Sequence, residues 1–248
     1  MRRIETAAVQ AWPPTIQEVT PDGWTLRATP GLARGRSSHA LTPCRELTPA
    51  EMPGALDRVY EFADRYSMPT GIQVSPLSLH QGLQTELDAR CWSTLSTVVV
   101  LTAPVEHDSD RAEALRLSVA DRALPGWLDA WSRCDPGQDV EAHAKTVFHA
   151  LRGRAAFAQF DTRAVAVAVE SSGLIGIFCM AVDPAHRRTG LASALLRALL
   201  VRSGASLAYL QVEEENTAAR ALYAGLGFNT SYRYCHRRAT EGLEAARR

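Results

Sequence analysis

Val182-Asp183-Pro184-Ala185-His186-Arg187-Arg188-Thr189-Gly190-Leu191-Ala192 is the stretch whose reading decides the fold. The apolar run before it, Leu174 to Val182, reads as a central strand. After it, Gly190 to Arg202 carries Leu191, Ala194, Leu195, Ala198 and Leu199 on one stripe, so a helix follows. A strand that stops near Pro184 and resumes as a helix leaves the first helical amides without carbonyl partners, at the positive end of the helix dipole. Amides arranged in this way hold anions, diphosphates included. Gly190 takes a Cβ out of the approach, and Ala192 is nearly as small. Arg187 and Arg188 add fixed positive charge beside the turn.

Two downstream blocks complete a candidate site. Leu210-Gln211-Val212-Glu213-Glu214-Glu215-Asn216 ends a strand in polar residues, and Ala221-Leu222-Tyr223-Ala224-Gly225-Leu226-Gly227-Phe228 carries a tyrosine on a short helix. Further strands are expected over Ala114 to Val119, Ala155 to Phe160, Ala164 to Val169 and Ser231 to His236, with helices over Trp127 to Trp131, Val140 to Leu151 and Ala218 to Leu226.

The first half has its own elements. Gly23 to Ala28 alternates as a strand does, and Ile72 with Val74 marks another. Thr48, Pro49 and Glu51 form a capping box ahead of a helix striped by Leu56, Val59, Tyr60, Phe62 and Ala63. A second helix is expected over Leu79 to Ala89 and a closing strand over Ser96 to Leu101. Gly31 to Arg36 is a glycine-bearing loop, without an apolar helix behind it to make a phosphate site. The polar stretch Thr102 to Asp110 reads as a linker, which gives domains over 1–104 and 111–240.

Composition narrows the function classes. The 248 residues carry 27 basic and 27 acidic side chains, so no net charge draws the chain to nucleic acid or anionic lipid. Lys145 is the single lysine; arginine bias of this kind follows base composition, so only the position of an arginine carries meaning. No apolar run approaches the roughly 18 residues that span a bilayer, and Met1 to Thr6 is followed by no signal-type apolar segment. Cys44, Cys91, Cys134, Cys179 and Cys235 are scattered, without zinc-ligand spacing, which suits reduced thiols in a cytoplasmic protein and no metal. Cys179, inside an apolar strand, is expected to be a buried small hydrophobe.

The motif Arg187-x-x-Gly190-x-Ala192, with Asn216-x6-Tyr223 behind it, resembles the GCN5-related N-acetyltransferase (GNAT) superfamily over about residues 112–240. The resemblance implies an α/β (α+β) GNAT fold, a mixed central sheet flanked by helices. More loosely, the whole chain resembles two-domain bacterial members whose first half is a degenerate copy, and this implies an acceptor cleft between the halves. Trp24, Trp92, Trp127, Trp131 and Tyr66 are expected either to line it or to fill the core. The implied donor is acetyl-CoA or another acyl-CoA, and the implied acceptor is an amine on a small molecule or peptide. The backbone of Met180, Ala181 and Val182 pairs with the pantetheine amides in this scheme. Arg187 stands beside the diphosphate, Arg188, Thr189, Gly190, Leu191, Ala192 and Ser193 wrap it, and Asn216 bonds the pantetheine arm. Tyr223 matches the helix tyrosine that protonates the leaving thiolate; a phenol with an ordinary pKa of about 10 is suited to this, and its other reading is core packing. Where many relatives have a glutamate as base, this chain has Gln211. Glu213, two residues on and on the same strand face, is the candidate base, with Glu170 or a water chain as alternatives. Two other functions stay open: an acyltransferase fed by phosphopantetheine on an acyl carrier protein, docked on Arg187, Arg188, Arg197 and Arg202, and a catalytically silent acyl-CoA sensor.

Overall fold

Ala164-Val165-Ala166-Val167-Ala168-Val169 is apolar at every position, and every one of these residues is buried. A strand needs such a sequence only when both its faces are covered. In the computed structural model, which describes residues 1–32, 35–43, 45–78, 80, 82–105, 117–151 and 153–240, this strand is β8 (Ala164–Ser171), and helices α1 (Arg2–Ala11), α5 (Pro125–Cys134) and α8 (Leu191–Val201) all pack on it.

The chain divides into two compact units. One comprises Met1–Pro13, Val100–Val212 and Asn216–Ser231, the other Pro14–Val99, Glu213–Glu215 and Tyr232–Arg248. In the first unit the strand order is β6 (Ser118–Ala120), β7 (Arg154–Phe160), β8, β9 (Leu174–Val182) and β10 (Leu207–Glu213). Neighbours are antiparallel up to β9, which runs parallel to β10. The sheet is therefore mixed, as the resemblance implied. Trp127 and Trp131 are core residues, packed edge-on or tilted against His143, Phe148 and Phe157 with ring centroids 5.1–5.6 Å apart. Trp127 Nε1 donates to Ala158 O at 2.9 Å, so its polar edge is satisfied inside the core.

Several elements depart from expectation. The expected Val140 to Leu151 helix is two helices, α6 (Val140–Lys145) and α7 (Val147–Ala150), broken where Thr146 adopts φ −112°, ψ −85°. The expected strand from Ala114 lies partly outside the described residues, as do the end of the expected linker, Cys44 and the start of the helix expected from Leu79. α1 was not anticipated, although Ile4, Ala7, Ala8 and Ala11 lie on one face and are buried.

The second unit orders its strands β1 (Ile16–Val19), β2 (Thr25–Ala28), β3 (Ala40–Leu41), β4 (Gly71–Val74) and β11 (Asn229–Arg238). The short α2 (Gly35–Ser38) precedes β3, α4 (Leu83–Ala89) follows β4, and β5 (Ser93–Pro104), like β11, gives residues to both units. Helix α3 (Met52–Arg65) buries the predicted stripe, and Trp24 and Trp92 join the same core. Its start is later than the capping box implied. Glu51 does accept from Thr48 N at 2.8 Å, but Thr48 Oγ1 donates to the Glu51 carboxylate, so Thr48–Ala50 form a turn and Glu51 is the N-cap.

The unit also buries a histidine pair. His39 Nδ1 and His236 Nδ1 lie 2.9 Å apart, and Arg27 Nε donates to His39 O at 2.6 Å. Room for the rings depends on Gly71, where a Cβ would stand 2.3 Å from the His39 imidazole. Burial, then the Arg27 and Arg36 guanidinium groups, hold His236 down at about 3. Burial, then His236, Arg27 and Arg238, hold His39 well below the usual histidine range, and burial lowers His80 as well. The unfolded chain therefore takes up protons below about pH 6.5 that the folded chain refuses, so stability is full above that pH and falls as pH drops. Calorimetric Tm should decline from pH 7.5 to pH 5, a window above the range where carboxylates titrate. A flat Tm across it contradicts this account.

Candidate active site

The turn after β9 is open. Arg187, Arg188, Thr189 and Gly190 are exposed, and Leu191, Ala192 and Ser193 are half-buried. Gly190 is the N-cap of α8 rather than its first residue, at φ +86°. The first intrahelical bond runs from Ala194 N to Gly190 O at 3.0 Å, which leaves the amides of Leu191, Ala192 and Ser193 ahead of the ladder. Among the described residues, its chain neighbours aside, nothing lies within 4 Å of where a Gly190 Cβ would stand, so glycine is favoured there by its backbone angle. Arg188 also takes a positive φ, +65°. Side chains brace this geometry. Asp183 Oδ1 accepts from Ala185 N at 2.8 Å, Thr189 Oγ1 donates to His186 O at 2.6 Å, and Arg187 Nε donates to Val182 O at 3.2 Å.

Beside the turn, β9 and β10 separate. Their register runs from Leu207↔Leu174 to Leu210↔Ile177, and no pairing continues beyond it among the described residues. The cause is in β9. Val165 of β8 faces Ala181 while Val167 faces Phe178, so β9 carries one extra residue, a β-bulge. Cys179 sits in it at φ +50°. A non-glycine residue held there costs about 1–2 kcal/mol, so packing around it must impose the shape. Burial changes at the same point: Leu174 to Phe178 are buried, whereas Cys179, Met180, Ala181 and Val182 are half-buried. Cys179 is therefore not the buried core thiol expected of it.

Helix α9 (Thr217–Ala224) belongs to the same first unit. Asn216 caps it, accepting from Ala219 N through Oδ1 at 3.0 Å, which leaves the side-chain amide to donate. Tyr223 is buried near Phe228, ring centroids 6.0 Å apart, and burial pushes its phenol up to about 12. Glu213 is the exposed last residue of β10, and Gln211 is half-buried on the same strand. Glu170 is separated from this end of the sheet. It pairs with Ile175, seven residues before Val182 and thus roughly 20 Å along β9, and its Oε2 accepts from Gly204 N at 3.1 Å. A cavity of about 280 Å³ lies at that far end, lined by Arg154, Glu170, Leu199 and Arg202 among others, and it is distinct from the gap beside the turn. Among the described residues no group of three or more His, Cys, Asp or Glu is placed to hold a metal, and no helix is long and apolar enough to cross a membrane.

Residues 1–237 match the family model described as probable histone acetyltransferase Rv0428c C-terminal. The chain belongs to this family of GNAT-type acetyltransferases. It is also similar to the ribosomal protein bS18-alanine N-acetyltransferase of Escherichia coli strain K12, 42% identical over 74 residues, which are 28% of this chain and 50% of that protein. The chain spans about half the length of the curated relatives it matches. Solved structures establish the GNAT fold. A GCN5-related N-acetyltransferase from Kribbella flavida gives a TM-score of 0.69 at 19% identity, covering 98% of this chain and 97% of that one. A tandem GNAT protein from the clavulanic acid biosynthesis pathway gives 0.60 at 16% identity, covering 94% and 86%.

The bulge at Cys179 was not anticipated from the sequence. A signal for it was present. Gly176 interrupts an apolar strand, and such a glycine marks a bulge or a close approach. A Cβ there would stand 2.5 Å from Tyr209 Oη, so the glycine lets the tyrosine cross β9 just ahead of Cys179.

Proposed function

We propose that this chain is an N-acyltransferase that moves an acetyl or other acyl group from a coenzyme A thioester to an amine of a small molecule or peptide. The observation that carries the reading is the end of β9, paired with β8 but not with β10 beyond the Cys179 bulge, followed by the exposed turn at the start of α8. In this proposal the amides of Leu191, Ala192 and Ser193, with Arg187, Arg188, Thr189 and Gly190, hold the diphosphate. The backbone of Met180, Ala181 and Val182 pairs with the pantetheine arm as an added strand, and the Asn216 side-chain amide donates to it. Backbone N–H groups at the bulge polarise the thioester carbonyl. Glu213 takes a proton from the attacking amine, and Tyr223 gives one to the departing sulfur. The bS18-alanine N-acetyltransferase among its relatives favours a peptide or protein amine as acceptor.

A second reading keeps the chemistry and changes the donor. Arg188, Arg197 and Arg202 are exposed and make no ion pair among the described residues, which suits the acidic helix of an acyl carrier protein. One experiment orders the readings. The protein is mixed with acetyl-CoA and an amine panel while free thiol is titrated, then with an acylated carrier protein. Thiol release with acetyl-CoA supports the first reading, release only with the carrier supports the second, and binding without release on either makes the chain a sensor.

The donor grip has its own test. A β-branched residue at φ +86° strains the turn by about 1–2 kcal/mol and puts methyl groups where an anion would sit. Gly190→Val should leave the chain folded and weaken acetyl-CoA binding by about tenfold or more, as read by calorimetry. An unchanged Kd would take the diphosphate away from this turn.

A further inference from the structure

The bulge at Cys179 is the least expected part of the site, and the residue just before it carries an aromatic contact from the start of the chain. Trp12 is buried, and its indole stacks on Phe178 with ring centroids 5.1 Å apart and planes 29° from parallel. Phe178 is the residue immediately before the bulge. Tyr209 meets it edge-on at 6.2 Å, so one ring is bounded by two. Trp12 is itself held. It caps α1 through a bond from its N–H to Ala8 O at 3.0 Å, and Phe148 meets its ring edge-on at 5.8 Å. The helix is tied at the turn between β8 and β9, where Arg3 donates to Ser172 O at 3.2 Å and Gln10 Oε1 accepts from Ser171 Oγ at 2.5 Å. Pro13 and Pro14 then stiffen the exit. The contacts run from the β8–β9 turn, along α1, to the residue beside the strained peptide.

We infer that Trp12 is a positioning residue for the acyl-donor strand: by fixing Phe178 it holds Cys179 in its left-handed conformation and so sets the direction of the N–H groups facing the thioester. The inference rests on the donor reading above for its catalytic consequence, though not for its structural one. Trp12 touches no reacting atom. The diphosphate-holding turn lies beyond Val182 and is braced by its own side chains, so loss of Trp12 should disturb catalysis more than donor binding.

The test uses the full chain with Trp12→Leu and Trp12→Phe. A displacement of about 1 Å at a reacting carbonyl costs up to about 10²-fold in rate. Trp12→Leu should therefore lower kcat by about tenfold or more, weaken acetyl-CoA binding by a smaller factor than that, and speed hydrogen exchange in the peptide covering Phe178 to Val182. Trp12→Phe, which keeps a stacking ring, should recover most of kcat. Equal loss of kcat and affinity in proportion to unfolded protein, or unchanged kcat and exchange in Trp12→Leu, overturns the inference. Should Trp12→Leu fail to fold, Trp12→Phe decides alone, since a smaller ring must loosen exchange at the bulge if the stack controls it. Should the wild-type chain release no thiol with any donor, the donor reading fails while hydrogen exchange still judges the role of Trp12.

Discussion

Tyr223→Phe is expected to lower kcat by about 10²-fold while the Kd for acetyl-CoA stays within about twofold, since a positioned acid contributes about 10²–10⁴-fold. The substitution removes one oxygen and keeps the ring that packs near Phe228. Burial pushes the phenol up to about 12, so at any pH from 6 to 9 the hydroxyl carries its proton. It is thus available as a donor throughout and never as a base. Against a thiol, whose ordinary pKa is near 8.5, such a phenol is the weaker acid, so it serves by hydrogen bonding to sulfur as negative charge develops there, and the proton it passes on must be restored from solvent. It follows that the wild-type kcat should show no falling basic limb below pH 9 on account of this group. Steady-state kinetics across that range, with thiol release as the readout, check both statements. A loss under tenfold in Tyr223→Phe would return the residue to core packing alone.

Glu213→Gln carries the second large effect: a fall of at least about 10² in kcat/KM if this carboxylate is the base. Glutamine keeps the size of the side chain at an exposed strand end, so stability should hardly change. A fall smaller than tenfold removes Glu213 from the role and leaves water to carry the proton. Glu170, the other carboxylate considered, is placed at the far end of β9 and already accepts from Gly204 N. Gln211 offers a complementary arm. It stands where the family resemblance implies a glutamate, and it shares a strand face with Glu213. Gln211→Glu combined with Glu213→Gln should recover part of the lost rate if a carboxylate on that face is what the chemistry needs.

The parts of this molecule that were readable from its residues are those set by neighbours in sequence. The stripe of α3 is buried as predicted, because a helix face follows from spacing alone. Asn216 and Gly190 stand at helix starts where their residue types are favoured, and each does the local work that position requires. Boundaries slipped where two local preferences competed: Thr48 and Glu51 bond to each other, and the helix waits for Met52. α1 escaped notice because alanines at positions 7, 8 and 11 give a weak apolar signal, although their spacing was helical.

The residues by themselves determined the turn after β9, the helix behind it and the family, since a strand end, a positive-φ glycine and a run of amides ahead of the helical ladder form within a dozen consecutive positions. Only the tertiary structure decided that β9 bulges at Cys179, that Glu170 is remote, and that Met1–Pro13 packs in the unit with Val100–Val212. A left-handed cysteine is unfavourable by its own dihedral preferences, so the surrounding packing must hold it, and rings that come from distant parts of the chain meet only after folding.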